Sequence, residues 1–248
     1  KPETARRVRQ RIVTVIDWAV GKGYRTLLLL MAAINKSLPR IKAKTEHHSA
    51  LPFDQVPAFM TRLRERESLG RLAFEALVLT AARSGEIRLA VWSEIDLEGK
   101  VWTVPAARMK AGREHRVPLP DRAVEILSAL AAASTGDHVF PGAKRGKPLS
   151  VMALTMVMRR TGVGHFTVHG FRSAFRDWAG ERTNFPREIA EAALAHVVGD
   201  ETERAYRRGD ALENRRALME AWAMFWEPNA GNVVVPLTRR GAATRGHR

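Results

Sequence analysis

LGRLAFEALVLTAARSGEIRLAVWSEIDLEGKVWTVP, residues 69–105, changes its period halfway along. The part up to Ala82 is apolar on nearly every face, as in a helix that is buried all round. Arg83-Ser84-Gly85-Glu86 then stops that helix with a turn that opens another short one. From Ala90 the apolar residues alternate with polar ones, the two-residue period of a strand. AVWSEIDLEG, KVWTVP and, further on, HRVPLP at 115–120 predict three short strands, with turns at Glu98-Gly99 and Ala111-Gly112.

On both sides of this stretch the pattern is helical. Asp54 is placed to cap a helix running to about Glu67. Downstream, helices are predicted at DRAVEILSALAAA, SVMALTMVMRR, HGFRSAFRDWAGERT, PREIAEAALAHV and LENRRALMEAWAMFW. The fold class is mainly α with a small three-stranded antiparallel sheet (α+β). Residues 51–228 form this domain. Ahead of it, 36–50 reads as a basic linker without helical or alternating period, and Lys36, Arg40, Lys42 and Lys44 are its cations. Pro2 to Tyr24 reads as one helix, with Val8, Ile12, Val15, Ile16 and Ala19 on one stripe and Gly21 and Gly23 ending it. A lone helix cannot bury its own face, so 1–35 reads as the end of a helical domain begun before Lys1. The tail, 229–248, is basic and is predicted to be disordered.

Forty-one Lys and Arg stand against 26 Asp and Glu, a formal net charge of +15. Such a surplus favours polyanions, either nucleic acid or an anionic membrane. No lipid signal or isolated basic amphipathic segment accompanies the charge, which disfavours the membrane. LLLLMAAI at 27–34 is too short to cross a bilayer. There is no cysteine, hence neither a disulfide framework nor a thiolate metal site. The setting expected is cytoplasmic, on the nucleoid when the protein is bound to DNA.

Six residues stand out for chemistry. Arg83 lies at a helix-ending turn, where backbone donors and a guanidinium can share an anion. Lys110 occupies the turn between two predicted strands. His169 and Arg172, in HGFR, are one helical turn apart and share a face. His196 is expected to close the helix that precedes Tyr206. Tyr206 itself sits in LAHVVGDETERAYRRGD, and the chain has only one other tyrosine, Tyr24. Singly, each has an ordinary explanation: a capping arginine, a solvated lysine, a surface pair, a half-buried aromatic. Glu86, three residues after Arg83, is a candidate for holding the local geometry, but reads first as an ordinary carboxylate in a helix's first turn.

In this order the residues are far more specific. LTAARSGEIRLAVWSEID, the hairpin Lys110, HGFR, LAH and the following AY resemble the tyrosine recombinases, the phage-type integrases. ARMKAGREHRVPLP and FTVHGFRSAFRDWA look most like the prophage and genomic-island integrases among them. The resemblance covers about Leu51 to Trp226, and Pro2 to Tyr24 is similar to the end of that family's core-binding domain. Residues 25–38 depart from the family pattern. The rest of the core-binding domain and any arm-binding domain lie outside the chain, which reads as a fragment with a reduced grip on DNA.

The resemblance implies a tyrosine-recombinase catalytic domain and a site-specific recombinase that cuts and rejoins DNA through a 3′-phosphotyrosyl intermediate, integrating or excising a mobile element. Tyr206 would be the nucleophile, and its proton, with a reference pKa of about 10, must be removed. His169 would be the base and Lys110 the acid for the leaving 5′ oxygen. Arg83 and Arg172 would clamp the nonbridging oxygens, with one more hydrogen bond from His196. No cofactor, metal or ATP is expected. The expected partners are double-stranded DNA attachment sites, further copies of the chain in a synaptic tetramer, and accessory DNA-bending proteins. The family also implies that the helix LENRRALMEAWAMFW, by default a core helix, docks on a neighbouring protomer. Two other readings stand beside this one: a type IB topoisomerase, and a basic DNA-binding module whose Tyr206 is structural.

Overall fold

A computed structural model describes residues 2–26, 49–196 and 211–227. The chain divides into two compact units, Lys1–His47 and His48–Arg248. Most of the linker assigned to 36–50, with its four cations, lies outside the described residues. So do the tail 229–248 and Tyr206.

The first unit contains α1 (Pro2–Gly21). Its end is closed by the Lys22 amide on Trp18 O (3.0 Å) and the Tyr24 amide on Ala19 O (2.9 Å), with Gly23 at φ +74°. That left-handed conformation is one a glycine adopts without a Cβ penalty. Val8, Ile12 and Val15, on the expected stripe, are exposed.

In the second unit the chain runs through α2 (Val56–Arg64), α3 (Leu69–Thr80) and α4 (Ser84–Arg88) into the sheet. The strands are β1 (Ile95–Asp96), β2 (Val101–Val104) and β3 (His115–Pro118). Then follow α5 (Asp121–Ala132), α6 (Ala153–Arg160), α7 (Gly170–Arg182), α8 (Arg187–Ala193) and α9 (Leu212–Phe225). The architecture is the expected one, mainly helical with an antiparallel sheet in the order β1-β2-β3.

The central element is α3. The Ser68 hydroxyl caps its start by accepting from the Arg71 amide (3.4 Å). Every residue from Ala73 to Thr80 is buried, because α2, α4, α5, α6 and α9 pack around it. This is why the quoted stretch is apolar all round.

Two expectations are corrected. Asp54 does not cap a helix: a 3-10 turn, Phe53–Gln55, precedes α2, which starts at Val56. Pro57 then falls in the first turn, where a missing amide hydrogen costs nothing. The strand expected over 90–99 shrinks to two residues, because the residues before it pair elsewhere. Val91 bridges to His138, the Trp92 amide donates to Asp137 O (2.9 Å), and the Val139 amide donates to Ala90 O (3.0 Å).

The helix α9 packs one face into its own domain's core, its default reading. Leu218, Met219 and Trp222 are fully buried, and Trp222 Nε1 donates to Val78 O of α3 (2.8 Å). The Trp222 ring lies 5.0 Å from that of Trp178 and 5.6 Å from that of Phe175, both on α7. Burying a large aromatic contributes about 1.5–3 kcal/mol, so this face is committed at home.

One glycine positions the site. A Cβ on Gly170 would come within 2.7 Å of Ala50 Cα and 3.2 Å of Ser49 O. The Thr167 amide also donates to Ser49 O (3.1 Å). The first turn of α7 therefore lies against residues 49–50, and this sets the direction in which His169 and Arg172 leave it.

Candidate active site

Arg83 is the N-cap of α4. Its amide donates to Glu86 Oε2 (2.8 Å), and its Nη1 pairs with Glu86 Oε1 (2.6 Å). Glu86 is in the first turn, as its spacing implied, but it is buried and also holds the Arg83 guanidinium in place. Lys110 stands exposed in the loop between β2 and β3, and Gly112 turns the chain there at φ +63°. His169 is the exposed N-cap of α7, and its carbonyl accepts from the Arg172 amide (3.1 Å).

Arg172 is 4% exposed. Its Nη1 donates to Ala81 O and its Nη2 to Leu194 O (2.5 Å). Each acceptor lies at a helix end where an alanine adopts the left-handed conformation, Ala81 at φ 48° and Ala195 at φ 50°. That conformation costs a non-glycine residue roughly 1–2 kcal/mol. Its effect here is to turn two orphan helix-end carbonyls toward one guanidinium.

The same turn corrects the placement of His196. The helix expected to end at this histidine stops at Ala193, and the reversal at Ala195 swings the ring back. His196 Nε2 reaches 3.3 Å from Arg172 Nη2, while Nδ1 lies 2.6 Å from Glu191 Oε2. With Nδ1–H donated to Glu191, Nε2 accepts from Arg172 while the ring is neutral and donates to an anion when both nitrogens are protonated. Glu191 is itself buried and also pairs with Arg176 Nε (2.8 Å). Burial alone would raise its pKa, but the hydrogen bond from His196 and the charge of Arg176 outweigh this and hold it below its ordinary value.

An open cleft of about 630 Å³ gathers Arg83, Lys110, His169 and Arg172 from three separate segments. His196 joins through Arg172, and Tyr206 lies outside the described residues. Charge in the cleft is unbalanced. Burial first, and the nearby charge of Arg83 second, lower the Arg172 pKa from its ordinary value to about 10. Arg172 remains a cation at neutral pH, but one held against desolvation and against a like charge. Its buried Nε finds no hydrogen-bond partner among the described residues. Arg83 leans on Glu86, and no carboxylate pairs with Arg172 among the described residues. An anion with oxygens in one plane is the ligand that would relieve this. Among the described residues no three His, Asp or Glu side chains gather to hold a metal ion.

Reading the sequence overlooked three side chains here. Glu191 was missed because only the reversal after α8 brings it under His196. Arg108 lines the cleft two residues before Lys110, inside a motif whose lysine drew the attention. His115 sits at the stem of the hairpin, opposite Val104. Burial foremost, then the charge of Arg215, lowers its pKa to about 4, against the opposing pull of Glu86 and the Ala193 carbonyl.

The unfolded His115 titrates near 6.5, so between about pH 6.5 and 4 the unfolded chain carries a proton that the folded one lacks. Stability therefore falls as the pH drops through that window. From pH 7 to 5 the expected loss from this residue is about 2 kcal/mol. Urea unfolding of His115→Gln should show an acid loss smaller by that amount; identical pH slopes would remove His115 from the account.

Residues 49–213 match the model of the phage integrase family. Prophage integrase IntA of Escherichia coli (strain K12) is 36% identical over 239 residues, covering 94% of this chain and 57% of that protein. The integrase of Enterobacteria phage P4 is 29% identical over 255 residues, again 94% of this chain and 57% of that protein. The chain thus spans about half the length of the curated relatives it matches. Among solved structures, a lambda integrase dimer bound to a COC′ core site shares the fold with a TM-score of 0.56 at 21% identity, over 77% of this chain and 71% of that one. The integrase from mycobacterium phage Brujita gives 0.55 at 20% identity, over 84% and 68%. The order of residues along the chain, the cleft that collects them and the extent of these matches agree: the chain belongs to the phage integrase family.

Proposed function

We propose that this chain carries the catalytic part of a site-specific DNA recombinase that works through a 3′-phosphotyrosyl intermediate. The observation that carries the reading is the cleft in which Arg83, Lys110, His169 and Arg172 meet, with no carboxylate paired to Arg172 among the described residues. A DNA phosphodiester supplies the missing anion. As Tyr206 attacks phosphorus in line, charge grows on the nonbridging oxygens, and the two guanidiniums stabilise it. His169, on the exposed edge of the cleft, accepts the tyrosine proton. His196, oriented by Glu191, adds a donor when both ring nitrogens are protonated. Lys110 hands a proton to the departing 5′ oxygen. The phosphotyrosyl bond conserves the energy of the broken one, so a 5′ hydroxyl from a second duplex can reverse the step and complete an exchange.

The substrate is double-stranded DNA attachment sites, and a synaptic tetramer is the working assembly. A lambda integrase tetramer on a Holliday junction, which shares this fold, supports that assembly. Accessory DNA-bending proteins would complete the complex, and the work would take place on the bacterial nucleoid. No helix among the described residues is long and apolar enough to cross a membrane.

The function is tested by incubating the chain with nicked duplexes drawn from the flanks of the element that encodes it. The expected result is a protein–DNA adduct that survives denaturing detergent. Relaxation of supercoiled DNA lacking those flanks would indicate a topoisomerase, and binding without any adduct a DNA-binding module.

The role of Lys110 has its own test. An alkoxide leaves poorly and gains much from an acid, whereas a thiolate, with a parent pKa near 8.5, leaves without one. On a substrate with sulfur in place of the 5′-bridging oxygen, Lys110→Ala is expected to recover near wild-type cleavage while Arg83→Ala stays slow. Equal slowness of Lys110→Ala on both substrates would make Lys110 an electrostatic contact.

A further inference from the structure

Lys110 is a flexible, exposed cation in a loop, yet a proton donor must stand in one place relative to the phosphate clamp. The structure holds the root of that loop in a specific way. Arg108 ends a 3-10 turn, Ala106–Arg108, two residues before Lys110. Its side chain folds back toward α4, and Nη1 donates to the carbonyl of Glu86 (3.2 Å). Its Nη2 pairs with the Glu94 carboxylate, which also accepts from Trp102 Nε1 on β2 (3.0 Å). The pair is well covered, with the Arg108 side chain 20% exposed and that of Glu94 10%. Met109, next in the chain, is buried and anchors the loop from the other side.

Glu86 thus serves two masters. Its carboxylate holds Arg83, and its carbonyl receives Arg108. One short helix therefore fixes both the clamp and the base of the loop that carries the proton donor.

We propose that Arg108 is a positioning residue: by joining the root of the Lys110 loop to Glu86 and Glu94, it sets where the Lys110 ammonium stands relative to Arg83. This rests on the role given to Lys110 above. Arg108 lines the cleft as well, so the competing possibility is that it touches DNA directly and acts independently of Lys110.

The test uses the full chain and the nicked duplex of the adduct assay. It compares Arg108→Gln with Glu94→Gln, which breaks the same anchor from outside the cleft. Each is expected to slow single-turnover cleavage by roughly ten- to a hundredfold, the scale on which a misplacement of about 1 Å acts. If the anchor works through Lys110, Arg108→Gln combined with Lys110→Ala is no slower than Lys110→Ala alone, and Glu94→Gln behaves likewise. Sulfur at the 5′-bridging position then relieves both anchor variants as it relieves Lys110→Ala.

Multiplying defects in the combined variants would overturn the proposal, as would wild-type cleavage by folded Arg108→Gln and Glu94→Gln. A Lys110→Ala defect that sulfur fails to relieve would remove its role as acid. The combined variants would still decide whether Arg108 acts through it.

Discussion

Tyr206→Phe is expected to fold and bind DNA as the parent chain does and to form no covalent adduct on a nicked duplex. The change deletes one oxygen and keeps the ring, so any packing role survives while the attacking atom is gone. Removing an enzyme's only nucleophile can lower the rate by on the order of 10⁶. The control is Tyr24→Phe, since Tyr24 is the only other tyrosine of the chain and is exposed in the first unit. It should leave adduct formation unchanged. Measured by detergent-resistant gel shift, an adduct from Tyr206→Phe would end the assignment of the nucleophile.

The second large effect is expected at the clamp. Arg83→Lys and Arg172→Lys each keep a positive charge and lose the planar fork that binds two oxygens at once. Losing such a contact costs roughly 10²–10³ in rate, and both variants should cleave that much more slowly. Their stabilities should differ. Lysine at 83 can still pair with Glu86, on a side chain that is 25% exposed. Lysine at 172 cannot reach both Ala81 O and Leu194 O, and a buried carbonyl left unpaired costs about 1–3 kcal/mol. Thermal unfolding should therefore fall for Arg172→Lys and hold for Arg83→Lys. Cleavage at the parental rate by both would remove them from the clamp and leave Arg172 a structural arginine that ties two helix ends together.

Much of the fold was legible because its signals are local. The all-apolar stretch of α3, the alternation that marks β2 and β3, and the periods of α5, α7 and α9 each arise from neighbouring residues facing one environment. Where two distant segments compete for the same backbone groups, the local signal fails. Val91 and Trp92 read as strand, but they pair with Asp137 and His138, and no periodicity announces that. α9 has an apolar face that either a neighbour or its own core would satisfy. Only the approach of α3 and α7, with the Trp222 hydrogen bond to Val78, decided for its own core.

The candidate site divides in the same way. By itself, the sequence determined which residue types occur and in what order: Arg83, Lys110, His169, Arg172, His196 and Tyr206. It also placed Lys110 in a turn and His169 with Arg172 on one helical face, because both are consequences of spacing. Only the tertiary structure decided that Arg172 is buried and carries its charge at a cost, since that depends on what surrounds it in space. It decided too that His196 leaves its helix at a left-handed alanine to meet Arg172, that Glu191 lies against His196 and Glu86 against Arg83, and that Arg108 bonds to the Glu86 carbonyl. A charged group's energy is set by the dielectric and the partners around it, and these come from segments far apart in the chain.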